Sequence, residues 1–349
     1  SVNSETLSPP KWGTYSRAQL ETNTPNKLGN MIVVIGEALI DLIESRETKG
    51  QFQAVVGGAN ANVALALARR GTNHQFLARI SSDRFGGLIK ERLTSNNVSL
   101  DHIINTDEPT TLAVISVNSQ GSPTYNFYTN GTADWGWTKE ELPSKETLKA
   151  LNTTAIEFGC LTMAMEPGNK VIEAWAQEVK DDVTISHDIN IRSALGFDRA
   201  VEKERVERVN SFSHIIKASD EDIEWLYNLE PDSDLTEIIN SWINNTDKVV
   251  LLTRGSQGTR IYRNNEVVDV PARKITVVDT VGAGDTFIAH LLGQLEENNY
   301  LGTNALEKLA SLPTEQLAQY VKTAGIAASI TCERAGCEPP TLEEVEALS

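Results

Sequence analysis

The sequence predicts an α/β fold in which a mostly parallel central sheet is covered by helices on both faces, with a small additional β-sheet. Two observations carry this prediction. Short apolar, β-branched runs alternate with segments of helical spacing, the pattern of parallel strands joined by helices. Residues 112–128 break the alternation and read as an antiparallel pair of strands. At 349 residues the chain is long enough for one large α/β domain or for two smaller ones.

The first 30 residues predict an N-terminal extension rather than part of the core. They are rich in Ser, Thr, Asn and Pro and show no apolar periodicity. The first strong strand signal is Ile32-Val-Val-Ile35, directly after Met31. We therefore divide the chain into an extension, residues 1–30, and one folded domain, residues 31–349.

The remaining elements of the central sheet follow in order. Apolar runs predict strands at residues 155–159, 183–188, 214–217 and 248–253. Helical spacing between strands is clearest at residues 170–180 and 235–244. The alternation favours helices packed on both faces of the sheet.

A hairpin departs from this alternation. Residues 112–117 and 124–128 predict two strands around the polar turn 118–122, and residues 52–56 predict a further strand of the same small sheet. Such a sheet inserted near the first strand suggests a lid over a substrate, with segments of about 39–57 and 109–132. An ordinary edge hairpin is an equally good interpretation of the same pattern.

Composition excludes several classes of protein. The formal net charge of −17 disfavours nucleic acid or an anionic membrane as a partner, because both would be repelled. No apolar run approaches the ~20 residues that span a bilayer, and no segment resembles a secretory signal. Three scattered cysteines predict neither a disulfide framework nor a zinc site, which favours a reducing cytoplasm.

The most informative segment is Asp279-Thr-Val-Gly-Ala-Gly-Asp285. Residues 275–278 before it predict a buried strand, and the apolar stripe after it predicts a helix. Glycines let the backbone approach a ligand, and the N–H groups of a first helical turn attract anions. An acid in such a turn can take a proton from an attacking hydroxyl. The alternative is a plain turn with Asp285 as the helix N-cap.

A second glycine-rich element is Gly57-Gly58-Ala-Asn60-Ala-Asn62, which leads into a helix ending at Gly71. Asn62 offers both donors and an acceptor to substrate hydroxyls. Asp41 follows the first strand, where ligands bind at the carboxyl ends of parallel strands. Capping of the helix by Asn60 or Asn62, and a solvated loop position for Asp41, are the alternatives.

Other motifs of catalysis are missing from the sequence. It contains no GxxxxGK[ST] phosphate loop, no dinucleotide fingerprint after a strand and no HExxH zinc motif. The five histidines are not paired at ligand spacing, which predicts structural roles for His187 and His214. No serine lies in a glycine elbow, so a serine hydrolase is not indicated.

The two glycine elements, in this order, resemble the signature regions of the ribokinase-like (PfkB-type) carbohydrate kinases over about residues 31–341. The resemblance implies a three-layer α/β body with a β-sheet lid, and transfer of the γ-phosphate of ATP to a sugar hydroxyl. It implies that Asp285 is the base and that the N–H groups of Gly282, Ala283 and Gly284 hold the developing charge.

The resemblance also implies the sugar-binding residues. Asp41, Gly57, Gly58 and Asn62 would hold the sugar. Apart from the resemblance, the aromatic ring of Phe127 in the hairpin is expected to wall the pocket, with packing within the lid as the alternative. Asp188-Ile-Asn190-Ile-Arg192 is similar to the family's D-x-N-x-R element, which places Asn190 and Arg192 near substrate or phosphate.

Nucleotide and metal sites follow by the same resemblance. The segment from Lys217 to Asp222 lies where many members carry Asn-x-x-Glu, with Ser219 in place of the Asn and Asp222 in place of the Glu. Lys217 and Ser219 would contact the nucleotide, and Asp222, a shorter acid, would hold Mg²⁺ through water. Asp279 would take part in a K⁺ site such as some members have. The nucleotide would bind at two further segments, with the residues Thr253, Gly255, Gly258, Gly336 and Cys337. Cys337 departs from the small residue usual in the family.

The opening Gly36-Glu37-Ala-Leu-Ile-Asp41 is similar to that of bacterial fructokinases. Fructose, phosphorylated to fructose 6-phosphate, is therefore the first expectation, with 2-keto-3-deoxygluconate, ribose and related sugars open. Glycines common in the family are replaced by Ala78 and Ser81, which changes the pocket's fine shape. The lid edges suggest a homodimer. A catalytically silent structural relative and a doubly wound oxidoreductase are the alternatives from other classes.

Overall fold

The structure is a computed structural model that describes residues 29–349, so the predicted extension lies almost wholly outside the described residues. The described strands, in chain order, are β1 (Met31–Ile35), β2 (Leu39–Glu44), β3 (Phe52–Gly57), β4 (His74–Leu77), β5 (Arg79–Ser81), β6 (Ile104–Thr106), β7 (Leu112–Val117), β8 (Pro123–Tyr128), β9 (Thr153–Gly159), β10 (Thr184–Asp188), β11 (Ile215–Ser219), β12 (Val249–Thr253), β13 (Thr259–Arg263) and β14 (Glu266–Val270).

The described helices, in chain order, are α1 (Ala59–Arg70), α2 (Arg84–Ser95), α3 (Lys145–Ala150), α4 (Gly168–Val179), α5 (Arg199–Phe212), α6 (Asp220–Leu226), α7 (Thr236–Ile243), α8 (Ala283–Glu297), α9 (Ala305–Ala310), α10 (Thr314–Cys332) and α11 (Leu342–Glu346). Among the described residues no helix has the length and apolar character needed to cross a membrane.

The central sheet has eight strands in the order β14-β13-β12-β11-β10-β9-β1-β4. From β12 to β4 all neighbours are parallel, and β13 and β14 add an antiparallel edge. Side chains alternate between the faces, so Ile32 and Val34 pack under α1, α8 and α10, whereas Val33 and Ile35 pack against α4. This three-layer arrangement confirms the predicted fold class.

The lid is a separate four-stranded sheet in the order β3-β2-β7-β8. The predicted hairpin is β7 and β8, and the strand predicted at residues 52–56 belongs to the same sheet but pairs with β2. Strand β2 lies between β3 and β7 and was not predicted. The register aligns Asp41 with Ala113 and Ala113 with Phe127, which places all three side chains on one face of the lid.

The predicted strand at residues 275–278 is wrong. This segment is irregular, and Val277 and Val278 are 55% and 62% exposed. β-branched composition favours a strand only where another strand pairs with the segment, and none of the described strands, including the edge strand β14, pairs with residues 275–278. The N–H groups of Val278 and Asp279 instead donate to the carbonyl of Cys332 at the end of α10. The glycine turn is therefore held by a helix rather than by a strand.

Candidate active site

The predicted anion turn forms the start of α8. Gly282 is the N-cap residue at φ 78°, a left-handed conformation, and Ala283 begins the helix. The N–H of Ala283 donates to the Thr280 carbonyl at 3.2 Å, whereas no hydrogen bond within the described residues engages the N–H groups of Gly282 and Gly284. Two backbone donors thus remain free for an anion at the positive end of a 15-residue helix.

Asp285 is the third residue of α8 and is only 6% exposed. It is not the N-cap of the helix, which rules out the plain capping alternative. Its Oδ2 accepts a hydrogen bond from Nδ2 of Asn62 at 3.1 Å. Burial, and after it the charge of Asp188, raise the pKa of Asp285 to about 7 against the opposing effects of Lys217, Asn62 and Arg192. A carboxyl with such a pKa suits a general base at neutral pH.

Lys217 brings a positive charge to the same turn. Its Nζ lies 3.0 Å from Oδ2 of Asp188 and would lie 3.0 Å from a Cβ placed on Gly284. Burial lowers the pKa of Lys217, but the neighbouring carboxylates, Asp188 first and then Asp285 and Asp222, together outweigh burial, so the net pKa is raised. The ammonium group therefore stays charged next to the free N–H groups.

The predicted sugar-binding residues come together where α1 meets the lid. A Cβ on Gly57 would lie 2.7 Å from Oδ2 of Asp41, so only glycine leaves that carboxylate in place. Gly58, at φ 104°, starts α1 without a side-chain cap, so Asn60 and Asn62 are not its caps. Burial raises the pKa of Asp41 to about 6, although the positive charge of Arg192 lowers it. Phe127 is half-buried on the same lid face.

Asn190 and Arg192 follow β10 at the carboxyl edge of the sheet. Asn190 has a positive φ of 38°, and the side chain of Arg192 is exposed. The charge of Arg192 lowers the pKa of both Asp41 and Asp285, so its guanidinium lies near both carboxyls. A ligand between Asp41 and Asp285 would therefore have a guanidinium at its side.

Both predicted metal residues use their carboxylates in backbone hydrogen bonds. Asp222 accepts from the N–H groups of Ser219 and Ile191, at 3.0 and 2.9 Å, and forms a capping box with Ser219. Asp279 accepts from Val281 and Gly336, at 3.0 and 2.9 Å. Within residues 29–349 no group of three or more His, Cys, Asp or Glu side chains could hold a metal ion.

The predicted nucleotide residues fall into two groups. Thr253 ends β12, and the exposed Gly255 begins the connection to β13. A Cβ on Gly258 would overlap the Val270 carbonyl, so this glycine is required by packing of β14. Gly336 and Cys337 lie on the opposite side of the turn, where Cys337 packs against Gly282. A cavity of about 550 Å³ opens beside Cys337 and Asn62, between β3, α1 and α2.

Glu37 is an organising residue that the motifs did not single out. It is fully buried, and its carboxylate accepts from the Ala59 N–H at 3.1 Å, from Asn60 at 2.8 Å and from Thr162. It thereby caps α1, whose N-cap glycine has no side chain. The sequence feature that could have identified Glu37 is its position as an acidic residue just after the predicted first strand. Similarly, Asp134, shortly after β8, accepts at 3.0 Å from the N–H of Ala38, just before β2, and so joins the segment that enters the smaller sheet to the one that leaves it.

Comparison with known proteins agrees with this geometry. Residues 30–344 match the model of the pfkB family carbohydrate kinases. A fructokinase of Rhizobium leguminosarum bv. trifolii is 35% identical over 289 residues, covering 82% of this chain and 85% of that protein.

Solved structures are similar in fold. A fructokinase with bound ATP from Xylella fastidiosa superimposes with a TM-score of 0.81 at 23% identity, over 91% of this chain and 97% of that chain. A fructokinase of Vibrio cholerae O395 with fructose, ADP and a calcium ion gives a TM-score of 0.74 at 22% identity, over 92% and 99%. With the family model matched over most of its length, the chain belongs to the pfkB family of carbohydrate kinases.

Proposed function

We propose that this carbohydrate kinase transfers the γ-phosphate of ATP to fructose, giving fructose 6-phosphate, with Asp285 as the general base. The observation that carries the proposal is the buried Asp285 carboxyl beside two free N–H groups of a helix start, with Asn62 and Asp41 on its sugar side. The fructokinase names of the relatives support the choice of sugar.

The proposed roles follow from position and charge. Asp41 and Asn62 accept and donate hydrogen bonds to sugar hydroxyls, Gly57 and Gly58 let the ring approach the backbone, and Phe127 covers it. Asp285 removes the proton of the attacking hydroxyl as the O–P bond forms and the bond to ADP breaks. The N–H groups of the glycine turn, with Arg192 and Asn190, stabilise the negative charge on the transferred phosphoryl group.

The nucleotide is proposed to lie between the loops at Thr253 to Gly258 and at Gly336 to Cys337, with Lys217 near its phosphates. Mg²⁺ fits this chemistry when held mainly by phosphate oxygens and water, because Mg²⁺ keeps several waters and needs few carboxylates. Asp222 would act through water, since both its oxygens accept backbone N–H groups. Stimulation by K⁺ near Asp279 is proposed on the family resemblance.

The substrate is tested with a sugar panel. Purified protein, ATP and Mg²⁺ are assayed for ADP release with fructose, ribose, 2-keto-3-deoxygluconate and other ketoses, each with and without K⁺. We expect the highest kcat/KM with fructose and phosphate on its primary 6-hydroxyl, shown by phosphorus NMR. Preference for another sugar would overturn only the choice of fructose. Absence of any sugar-dependent ADP release would overturn the kinase proposal and favour a silent relative.

The pH dependence of kcat/KM tests the base. Asp285 must be ionised to accept a proton, and its pKa is about 7, so kcat/KM should rise with pH through about 7. Asn62→Leu removes a hydrogen bond to the carboxylate and should move the midpoint to higher pH. Asn62→Asp is not a matched control because it adds charge. If the midpoint of the kcat/KM profile lies near the ordinary Asp pKa in both the wild type and Asn62→Leu, a buried aspartate is not the base.

Two further proposals concern the setting of the enzyme. The described cysteines are all unpaired, which supports a reducing compartment such as the cytoplasm. Exposed lid residues, among them Phe52 and Tyr125 at 44% and 50% exposure, support a homodimer through the lid. Sedimentation with and without Phe52→Lys tests the dimer.

A further inference from the structure

One buried carboxyl near the site has no role in the mechanism above. Glu157 lies in β9, at the middle of the central sheet, and is 0% exposed. Neither of its carboxyl oxygens has a hydrogen-bond partner among residues 29–349. A buried carboxyl is costly unless it is paired or neutral, so this side chain needs a physical account.

The neighbours of Glu157 are set by strand register. It pairs with Val34 of β1 and Ser186 of β10, and Asp188 lies two residues further along the same face. Asp188 pairs in turn with Lys217 of β11. Because paired and alternate residues share a face, these polar side chains form one patch under α1 and α8.

The patch contains acceptors and too few donors. Asp188 uses Oδ2 to bind the Lys217 ammonium at 3.0 Å, while its Oδ1 is buried and unpartnered within the described part of the chain. The Ser186 hydroxyl, in register with Glu157, is one donor that can reach the Glu157 carboxyl and lowers its pKa, but it leaves Oδ1 of Asp188 without a donor. An ionised Glu157 would add only further acceptors, whereas a protonated carboxyl supplies the missing donor.

The charges around Glu157 favour the same state. Asp188 on β10 and Asp285 on α8 are negative, and Lys217 on β11 is the positive group near it. β1 carries no charged residue, and those of α1 are Arg69 and Arg70 at its far end. Burial raises the pKa of Glu157 well above its usual value, and the neighbouring carboxylates raise it further.

We propose that Glu157 is a positioning residue that remains a neutral carboxylic acid and donates its proton in a hydrogen bond to Oδ1 of Asp188. Asp188 would then be held from both sides, by the Glu157 hydroxyl and by the Lys217 ammonium. Since Lys217 lies against Gly284, Glu157 would orient the positive charge at the anion turn without touching a substrate. The inference rests on the proposed phosphotransfer at that turn.

A pair of variants separates the donor from the charge. Glu157→Gln keeps the shape, the neutrality and an N–H donor, so it should retain activity within about threefold of wild type. Glu157→Leu keeps the bulk but leaves Asp188 without a donor, so kcat should fall by roughly tenfold or more and the KM for ATP should rise. In Glu157→Gln the acid limb of the kcat/KM profile should keep its midpoint, because no charge is lost.

The opposite results would overturn the proposal. If Glu157 is ionised in the wild type, Glu157→Gln should lower the midpoint of the acid limb and lose as much activity as Glu157→Leu. Equal, wild-type activity of both variants would remove the positioning role.

A readout independent of catalysis is the infrared difference between wild type and Glu157→Gln at neutral pH. We expect the C=O band of a protonated carboxylic acid in the wild type alone, and a carboxylate band in its place would refute the inference. This spectrum can be recorded if Glu157→Leu fails to fold. It also separates failure of this inference from failure of the kinase proposal, which would show as an inactive wild type.

Discussion

Asp285→Asn should retain the fold and nucleotide binding while phosphoryl transfer falls by about 10²–10⁴-fold, the usual contribution of a general base. The amide can still accept the hydrogen bond from Asn62, so the geometry of the turn is preserved. The loss should appear in kcat, with little change in the KM for ATP. Steady-state kinetics with fructose and ATP, together with nucleotide binding by calorimetry, measure both parts.

The same variant should be more stable than the wild type at alkaline pH. The pKa of Asp285 is raised from 3.8 to about 7, so the folded state binds this proton more tightly than the unfolded state does. Stability is therefore lost as pH rises from about 4 to 7 and stays reduced above that. Removing the carboxyl removes this penalty. A lower Tm for Asp285→Asn than for wild type at pH 8, or near-normal turnover, would contradict the assignment.

Gly282→Ala should abolish most activity, by about a hundredfold or more, because it displaces the turn whose N–H groups are proposed to bind the phosphoryl group. Gly282 has φ 78°, and a Cβ there would overlap Sγ of Cys337. The backbone strain alone is of order 1–3 kcal/mol. We expect a fall in both kcat and affinity for ATP, measured by sugar-dependent ADP release and by nucleotide titration.

Gly71→Ala is a matched control for this substitution. Gly71 has nearly the same φ, 80°, but a Cβ there meets nothing within 4 Å. It ends α1 far from the turn, so it should reduce stability by about 1 kcal/mol and leave kinetics unchanged. Adding Cys337→Ala to Gly282→Ala removes the overlapping sulfur and should recover part of the activity. If Gly71→Ala and Gly282→Ala behave alike, the turn has no special role.

Strong local patterns in the sequence were sufficient to predict most of the central sheet and two of the helices that cover it. The strands at β1, β9, β10, β11 and β12 and the helices α4 and α7 have the periodicity that burial on a sheet imposes, and they were predicted within a few residues. The turn from Gly282 to Asp285 could be recognised because glycines and an acid before an apolar helix are rare in combination. The fold brings Asn62, 223 positions away in the sequence, within hydrogen-bond distance of Asp285, which the local pattern did not predict.

Features that depend on tertiary pairing could not be read from the chain. Residues 275–278 have strand composition but pair with none of the described strands, and the N–H of Val278 donates instead to the carbonyl of Cys332. Strand β2, which contains Asp41, pairs with a strand on each side, β3 and β7. Its sequence, Leu-Ile-Asp-Leu-Ile-Glu, does not alternate between apolar and polar residues, so it did not predict a strand. Glu37 and Glu157 are single acids in apolar surroundings, and only the folded neighbours distinguish a cap from a proton donor.

In the proposed mechanism the smaller sheet would contribute residues to the site as well as cover it. Asp41 and Gly57 lie on β2 and β3, whereas Asp285 lies on α8 above the central sheet. A hexose held by both groups would bridge the smaller sheet and the body, so if that sheet closes over the site, the binding energy of the sugar would be coupled to closure. Nucleotide alone makes no such bridge, and the open cleft would leave ATP poorly aligned for attack by water. The enzyme should therefore waste little ATP when sugar is absent.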